Sequence, residues 1–473
     1  MRKLVRKSVL VSLVLVAIAI VSSTASGGQL RYKLDLVGSN GLFIGSQTSD
    51  LDVDPARNVA YVGSYIDHGV AVVDISDRSA PAVVDVLSTK YRGEFPYSSD
   101  SADVDLSPDG TLLAVASQPA DFDSSHGFGG VTLYDTTDPY HPVQLGQVAT
   151  GGVHDVQIDP GYPRRPYIYA ANFESDDPVH AHHVSIIDAS DPRSPTILSD
   201  YVSPEPQGCV VVGTHTCDQW FAVFNSAHDL TLLIHPRTGR VLLYVAYWDS
   251  GLRIVDVTSP ASPVEVGSLD YTPAFTDKGL EVDCCAHYAQ PTPSGDWVLL
   301  EDEVGIGEAG GVHVLDAHAC DGTVYCTPKE VSFWSPPGAG TQASAIHATV
   351  NTDGKVEPGG IFQRYFSRDV HNLDVQEDRF LAPSYSSGVF LVDMKDKTNP
   401  TAIAFWSGAA GVKTACHGKN TLNAWGYQGN CYFQGREVWG AKFGDAVPGN
   451  PLDYYIYASD FWLGFLTFRT VTL

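Results

Sequence analysis

The sequence predicts an all-β fold: a seven-bladed β-propeller of four-stranded antiparallel blades, closed by pairing of the N- and C-terminal strands. Three observations lead there. A short apolar strand ending in aspartate recurs six times, closing at Asp74, Asp135, Asp188, Asp256, Asp316 and Asp393. After five of the six comes a proline turn, marked by Pro81, Pro139 and Pro142, Pro192 and Pro195, Pro260 and Pro263, and Pro400. Helical periodicity is nearly absent, and self-similar units of roughly sixty residues signal a radial array rather than separate domains.

The elements follow in chain order. Arg2, Lys3, Arg6 and Lys7 precede the apolar run Val9 to Val21 and the small residues Ser23-Thr24-Ala25. That is the pattern of a signal peptide over 1–25, with a run too short for a membrane span. The mature chain is therefore expected to be secreted, periplasmic or at the cell surface, with no later membrane span. Residues 26–473 form one domain. Residues 30–38 read as the outermost strand of a blade, by likeness to Val264-Glu-Val-Gly267. Blades follow at approximately 48–88, 98–150, 152–203, 226–270, 285–337, 369–408 and 430–473. The clearest copy starts at His228. A first strand runs to His235, the turn Pro236–Gly239 follows, and Val241 to Tyr247 is almost wholly apolar. Asp249-Ser250-Gly251 is a hairpin turn before the strand ending at Asp256, and Val264 to Leu269 completes the meander. The seventh unit lacks the aspartate and one outer strand, which 30–38 supplies, so no sheet edge is left where the ring closes. A six-bladed ring with a C-terminal extension is the competing arrangement.

Composition narrows the function classes. The chain carries 55 Asp and Glu against 29 Lys and Arg, a formal net charge of −26. This excludes nucleic acid and anionic membrane surfaces as natural partners. The eight cysteines are an even count, suited to an oxidising compartment. Cys209 with Cys217, Cys320 with Cys326, and Cys416 with Cys431 are spaced for local disulfides. Cys284 and Cys285 are adjacent and close to His287, which leaves a ligand or redox role open beside pairing elsewhere.

The chemistry-bearing pattern is a histidine at one position of four successive units: His154, His228, His287 and His371. The first strand of a blade lines the central channel, so these imidazoles are expected to face a common centre and hold a transition metal. Copper, iron and zinc all suit neutral imidazole. Glu281, Glu301, Asp302 and Glu303 are the candidates to orient them. Asp155 and Asp229 follow two of the histidines; strand alternation predicts that they face away and cap loop backbone. The bland reading is that duplicated blades copy a structural histidine. The acidic segments containing Asp121, Asp123 and His126, and Glu174 to Asp177, have calcium-binding composition without a fixed ligand spacing. His180, His182 and His183 have metal-binding composition too, although a solvated loop explains them. His347 and His417 fall in long insertions.

The apolar-Asp strand, together with Cys285-Ala-His287, Trp297 to Glu303, Val370 to Leu373 and the segment Gly440 to Arg469, resembles LVIVD-repeat proteins. In particular it resembles their exported branch, in which a choice-of-anchor B type is common. The resemblance spans nearly the whole mature chain and implies a propeller, but no settled reaction. The four-histidine arrangement is similar in kind to that of carotenoid-cleaving oxygenases, with iron, and of selenium-binding, methanethiol-oxidising proteins, with copper. No motif of either group occurs here. Two functions follow. One is a metal-dependent enzyme, oxidoreductase in preference to hydrolase, acting on a small molecule. The other is a non-catalytic extracellular propeller that binds a glycan, peptide or partner protein. The chain is expected to act as a monomer.

Overall fold

The computed structural model describes residues 30–42, 48–64, 69–87, 99–119, 127–173, 175, 177–204, 208–210, 223–270, 285–303, 310–336, 370–385, 387–406, 438–461 and 463–473. The signal segment, Glu281, Cys284, Cys217, Cys416, Cys431, His347, His417, Asp121, Asp123, His126 and Glu174 lie outside them.

Seven four-stranded antiparallel sheets stand in a ring. Their inner strands are Thr48–Asp54, Ser99–Leu106, Asp155–Ile158, Ala227–Ile234, Ala286–Pro291, Asp374–Val375 and Val438–Val447, numbered here as blades one to seven. Each inner strand packs beside the next, and the seventh returns to the first. In the last blade Val438–Val447, Asn450–Asp460 and Gly464–Thr472 are joined at the outer edge by Tyr32–Asn40. Tyr32 opposes Thr472 and Asn40 opposes Phe465, so the two ends of the chain close the ring as expected. A two-stranded hairpin, Gly208–Val210 with Val223–Asn225, lies between blades three and four. No α-helix occurs among the described residues.

The recurring apolar strand is explained by where its faces go. In Val70–Asp74, Val70 and Val72 pack with Val104, Leu113 and Val115 of blade two. Ala71 and Val73 face the other way, onto Tyr457 and Phe465 of blade seven. Both faces are buried, so apolar residues run on without alternation. The whole core has this form, with one buried cluster between each pair of neighbouring blades. Burial of apolar surface at these interfaces holds the ring together, at roughly 25 cal/mol per Å².

The terminal aspartate ends the strand by chemistry. Its carboxylate accepts the backbone N–H two residues on, at Ser76, Thr137, Ser190, Thr258, His318 and Lys395. A short acceptor that competes for local N–H groups turns the chain out of the ladder. Where blade five lacks the proline turn, a disulfide between Cys320 and Cys326 closes the loop instead, as their spacing suggested.

Candidate metal centre

Each inner strand begins with an extra residue. The pairing register skips between Ser101 and Asp103, Ala227 and Asp229, Ala286 and Tyr288, and Val438 and Gly440. Blade one shifts likewise between Thr48 and Leu51. In blade six, Val370 opposes Ser384 while Asp374 opposes Leu381, again one residue in excess. The residues set in these bulges are Ser49, Ala102, His228, His287, His371 and Trp439. In blade three, His154 donates its N–H to the Ala171 carbonyl and Asp155 pairs with the same residue. A bulge breaks strict alternation. This corrects the expectation that Asp229 turns away from the histidines. Asp229 is buried, with Oδ1 at 3.3 Å from His228 Nδ1 and Oδ2 at 3.7 Å from His287 Nδ1. Asp155 does not cap its own loop either: its Oδ1 accepts the Leu230 N–H of the next blade.

The four imidazoles form an arc. Ring centroids are 4.3 Å apart for His154 and His228, 4.4 Å for His228 and His287, and 4.2 Å for His287 and His371. The three later rings are buried and His154 is half-buried. Two ligand sets result, each with its atoms within 4.8 Å of one another: His154, His228 and His287; and His287, His371 and Glu303. His287 belongs to both. The sequence placed Glu303 behind the histidines, whereas the fold brings it in as a ligand candidate, with Oε2 at 3.7 Å from His287 Nε2.

Three of the rings are oriented through Nδ1. His287 Nδ1 donates to Glu301 Oε2 at 2.8 Å, inside the protein. His371 Nδ1 donates to the Trp439 carbonyl at 2.9 Å, and His154 Nδ1 lies 3.2 Å from Gln118 Oε1. A carbonyl or carboxylate only accepts, so Nδ1 carries the hydrogen in His287 and His371. Nε2 then keeps its lone pair. His287 Nε2 is buried without a hydrogen-bond partner, the state expected of an imidazole awaiting a Lewis acid. Burial pushes His154, His287 and His371 well below the ordinary imidazole value, helped by their mutual repulsion, and takes His228 down to about 3. All four are therefore neutral at pH 7, as metal ligands must be. Burial raises Glu303 to about 8 against the opposing hydrogen bond that Tyr385 donates to Oε1.

Aromatic side chains wall the arc. Trp248 stacks on His228 at 4.7 Å, and Phe173 meets the same ring at 4.3 Å. Trp439 and Tyr385 flank His371 at 4.1 and 5.2 Å. Gln118 was not foreseen, since it reaches the arc from the end of a second strand. Asp302 turns away from the arc and holds His313 at 2.6 Å. Cys285 is disulfide-bonded, so it offers no free thiolate. Of the other histidines singled out, His180 is held by Asp200 at 3.1 Å and His182 lies 3.2 Å from Ser226 Oγ. Asp177, in the acidic segment, accepts the Val179 N–H.

The LVIVD repeat model matches residues 55–89 and 242–271, which fall on blades one and four. The chain carries LVIVD repeats. Their aspartate is the strand terminator described above, and it contributes nothing to the imidazole arc. Among solved structures, the Cps50 (Swd1) β-propeller domain of Myceliophteria thermophila is similar. The TM-score is 0.52 at 12% identity, over 93% of this chain and 100% of that one. At that identity the likeness concerns the fold alone. No curated protein matches the chain.

Proposed function

We propose that this LVIVD-repeat propeller is an exported metal-dependent enzyme, an oxidoreductase acting on a small molecule that enters the channel. The reading rests on one observation above all. His287 is fully buried, its Nδ1 is fixed by Glu301, and its Nε2 has no partner, although two sets of donors converge beside it. An unpaired buried nitrogen costs about 1–3 kcal/mol, a cost that a bound ion removes. Imidazoles with one carboxylate suit copper, iron or zinc. A bound copper or iron ion supplies one-electron chemistry, and zinc supplies Lewis acidity.

The chain's own residues do the rest. Glu301, Gln118 and the Trp439 carbonyl orient the rings. Trp248, Phe173, Trp439 and Tyr385 exclude bulk water and offer apolar contact to a substrate. Glu303 is held in place beside His287 by the hydrogen bond that the Tyr385 hydroxyl donates to its Oε1. Oxidation is preferred to hydrolysis because the imidazole-rich donor set serves redox metals as well as zinc. The basic-then-apolar start of the chain and the disulfide Cys320–Cys326 support export to an oxidising compartment.

Metal analysis of protein purified without an affinity tag tests the reading. The expected result is about one transition-metal ion per chain, lost in His287→Ala. A folded protein that carries none, and takes up none from copper, iron or zinc salts, contradicts it.

A further inference from the structure

Blade five enters the channel through a strained residue. Cys285 immediately precedes the inner strand Ala286–Pro291, and its φ is 72°. That is the left-handed region, where a Cβ crowds the backbone and the conformation has to be held by its surroundings. Cys285 is buried and locked in a disulfide. Strain held in this way gathers at functional sites.

Two features tie this residue to the metal centre. The Cys285 carbonyl accepts the Glu303 N–H at 3.0 Å. Two residues on, His287 fills the bulge, where the pairing skips from Ala286 with Asp302 to Tyr288 with Glu301. Cys285 is thus a backbone anchor common to His287 and Glu303, which form one ligand set with His371.

The disulfide Cys320–Cys326 has a different setting. It closes a turn at the rim, where the Cys326 N–H donates to the Val266 carbonyl and its carbonyl accepts the Ser268 N–H, both on the outer strand of blade four. That bond staples an edge, whereas the one at Cys285 shapes the approach to the ligands.

We propose that the disulfide at Cys285 gates metal loading of the imidazole arc: the oxidised chain holds His287 and Glu303 in place for an ion, and the reduced chain does not. The proposal rests on the metal-centre reading above and adds the condition under which the site becomes competent. The step is thiol–disulfide exchange. An external dithiol supplies two electrons and two protons, the S–S bond at Cys285 breaks, two S–H groups form, and the dithiol closes to its own disulfide. Freed of the tie, Cys285 can leave the left-handed region, and the Glu303 N–H then loses its acceptor. In an exported chain the thiols are reduced before export and oxidised after it, so the arc takes its ion only outside the cytoplasm.

The test measures zinc affinity of the full chain by competition with a chromophoric chelator, zinc being an ion that thiols do not reduce. One sample is oxidised. A second is reduced with a dithiol, alkylated at its thiols and freed of reductant, and mass spectrometry confirms modification of Cys285. The oxidised form should bind about tenfold or more tightly than the reduced one. Cys285→Ser, which adds no bulk, should show the weak affinity without treatment. Cys285→Gly, which takes a positive φ freely, should recover part of what Cys285→Ser loses. The double substitution Cys320→Ser, Cys326→Ser should lower the urea unfolding midpoint and leave zinc affinity at the parent value, so loss of stability alone does not imitate the effect. Equal zinc affinity in Cys285→Ser and the oxidised parent overturns the proposal while the metal reading stands. Failure of every form to bind zinc overturns both.

Discussion

Blades three to six and blades seven, one and two build the same position in different ways. All begin the inner strand with an extra residue facing the arc. In blades three to six that residue is His154, His228, His287 or His371. In the other three it is Trp439, Ser49 or Ala102. Ser49 donates to the Ser101 carbonyl of the next blade, and Ala102 has no polar atom to use. The bulge therefore does not require a histidine. If the histidines were relics of duplication with a structural duty, blades one, two and seven would need them as well. The aspartate one residue later shows what a structural position looks like: it recurs in blades one to four, and in blades two and three it clasps the next blade. The histidines instead occupy one contiguous arc, each with neighbours suited to it.

Substitutions can break or sharpen this contrast. The largest effect is expected at His287, which belongs to both ligand sets. His287→Ala should abolish transition-metal binding, whereas Ser49→Ala at the equivalent place should leave metal content unchanged in the same elemental assay. Next comes Glu301→Gln, which weakens the hydrogen bond that aims His287. Metal affinity, read by competition with a chelator, should fall about 10- to 100-fold. Asp105→Ala lies in the clasp rather than in the arc, since Asp105 accepts the Ile158 N–H of the next blade. It leaves the Ile158 N–H buried and unpaired, so urea unfolding should show a loss of about 1–3 kcal/mol with metal content retained.

The smallest effect is one of pH. Asp302 and Glu330 outweigh the burial that alone would lower His313, and raise it to about 10. A raised imidazole pKa stabilises the fold fully below its ordinary value of 6.5, and that contribution is lost as pH rises through about 10. His313→Gln should therefore cost stability at pH 6 and approach the parent protein above pH 10. Unfolding midpoints across that range would show it.

Much of the fold was legible because it rests on local signals repeated many times. The Asp-ended strand names the third strand of six blades, with a proline turn after five of them, and the likeness of 30–38 to Val264-Glu-Val-Gly267 locates the closing strand. The bulge was not legible. Nothing in Ala227-His228-Asp229 announces an extra residue, because a bulge is a relation to the partner strand. Strict alternation therefore misassigned Asp229. The partners of Nδ1 were hidden for a related reason. Gln118 and the Trp439 carbonyl come from neighbouring blades, and only ring closure brings them within 3.2 and 2.9 Å. Glu301 and Glu303 were within reach of the sequence, but their division of labour was not. One orients His287, and the other stands among the ligand candidates with Tyr385.

The central claim is that the arc is a metal-binding site. Anomalous diffraction from crystals of tag-free protein, collected on both sides of the copper, iron and zinc edges, tests it most directly. The account predicts a peak about 2.0–2.2 Å from His287 Nε2 and shared with at least two of His154, His228, His371 and Glu303. A map that shows only water hydrogen-bonded to His287 Nε2, in crystals soaked with each of these metals, would contradict it.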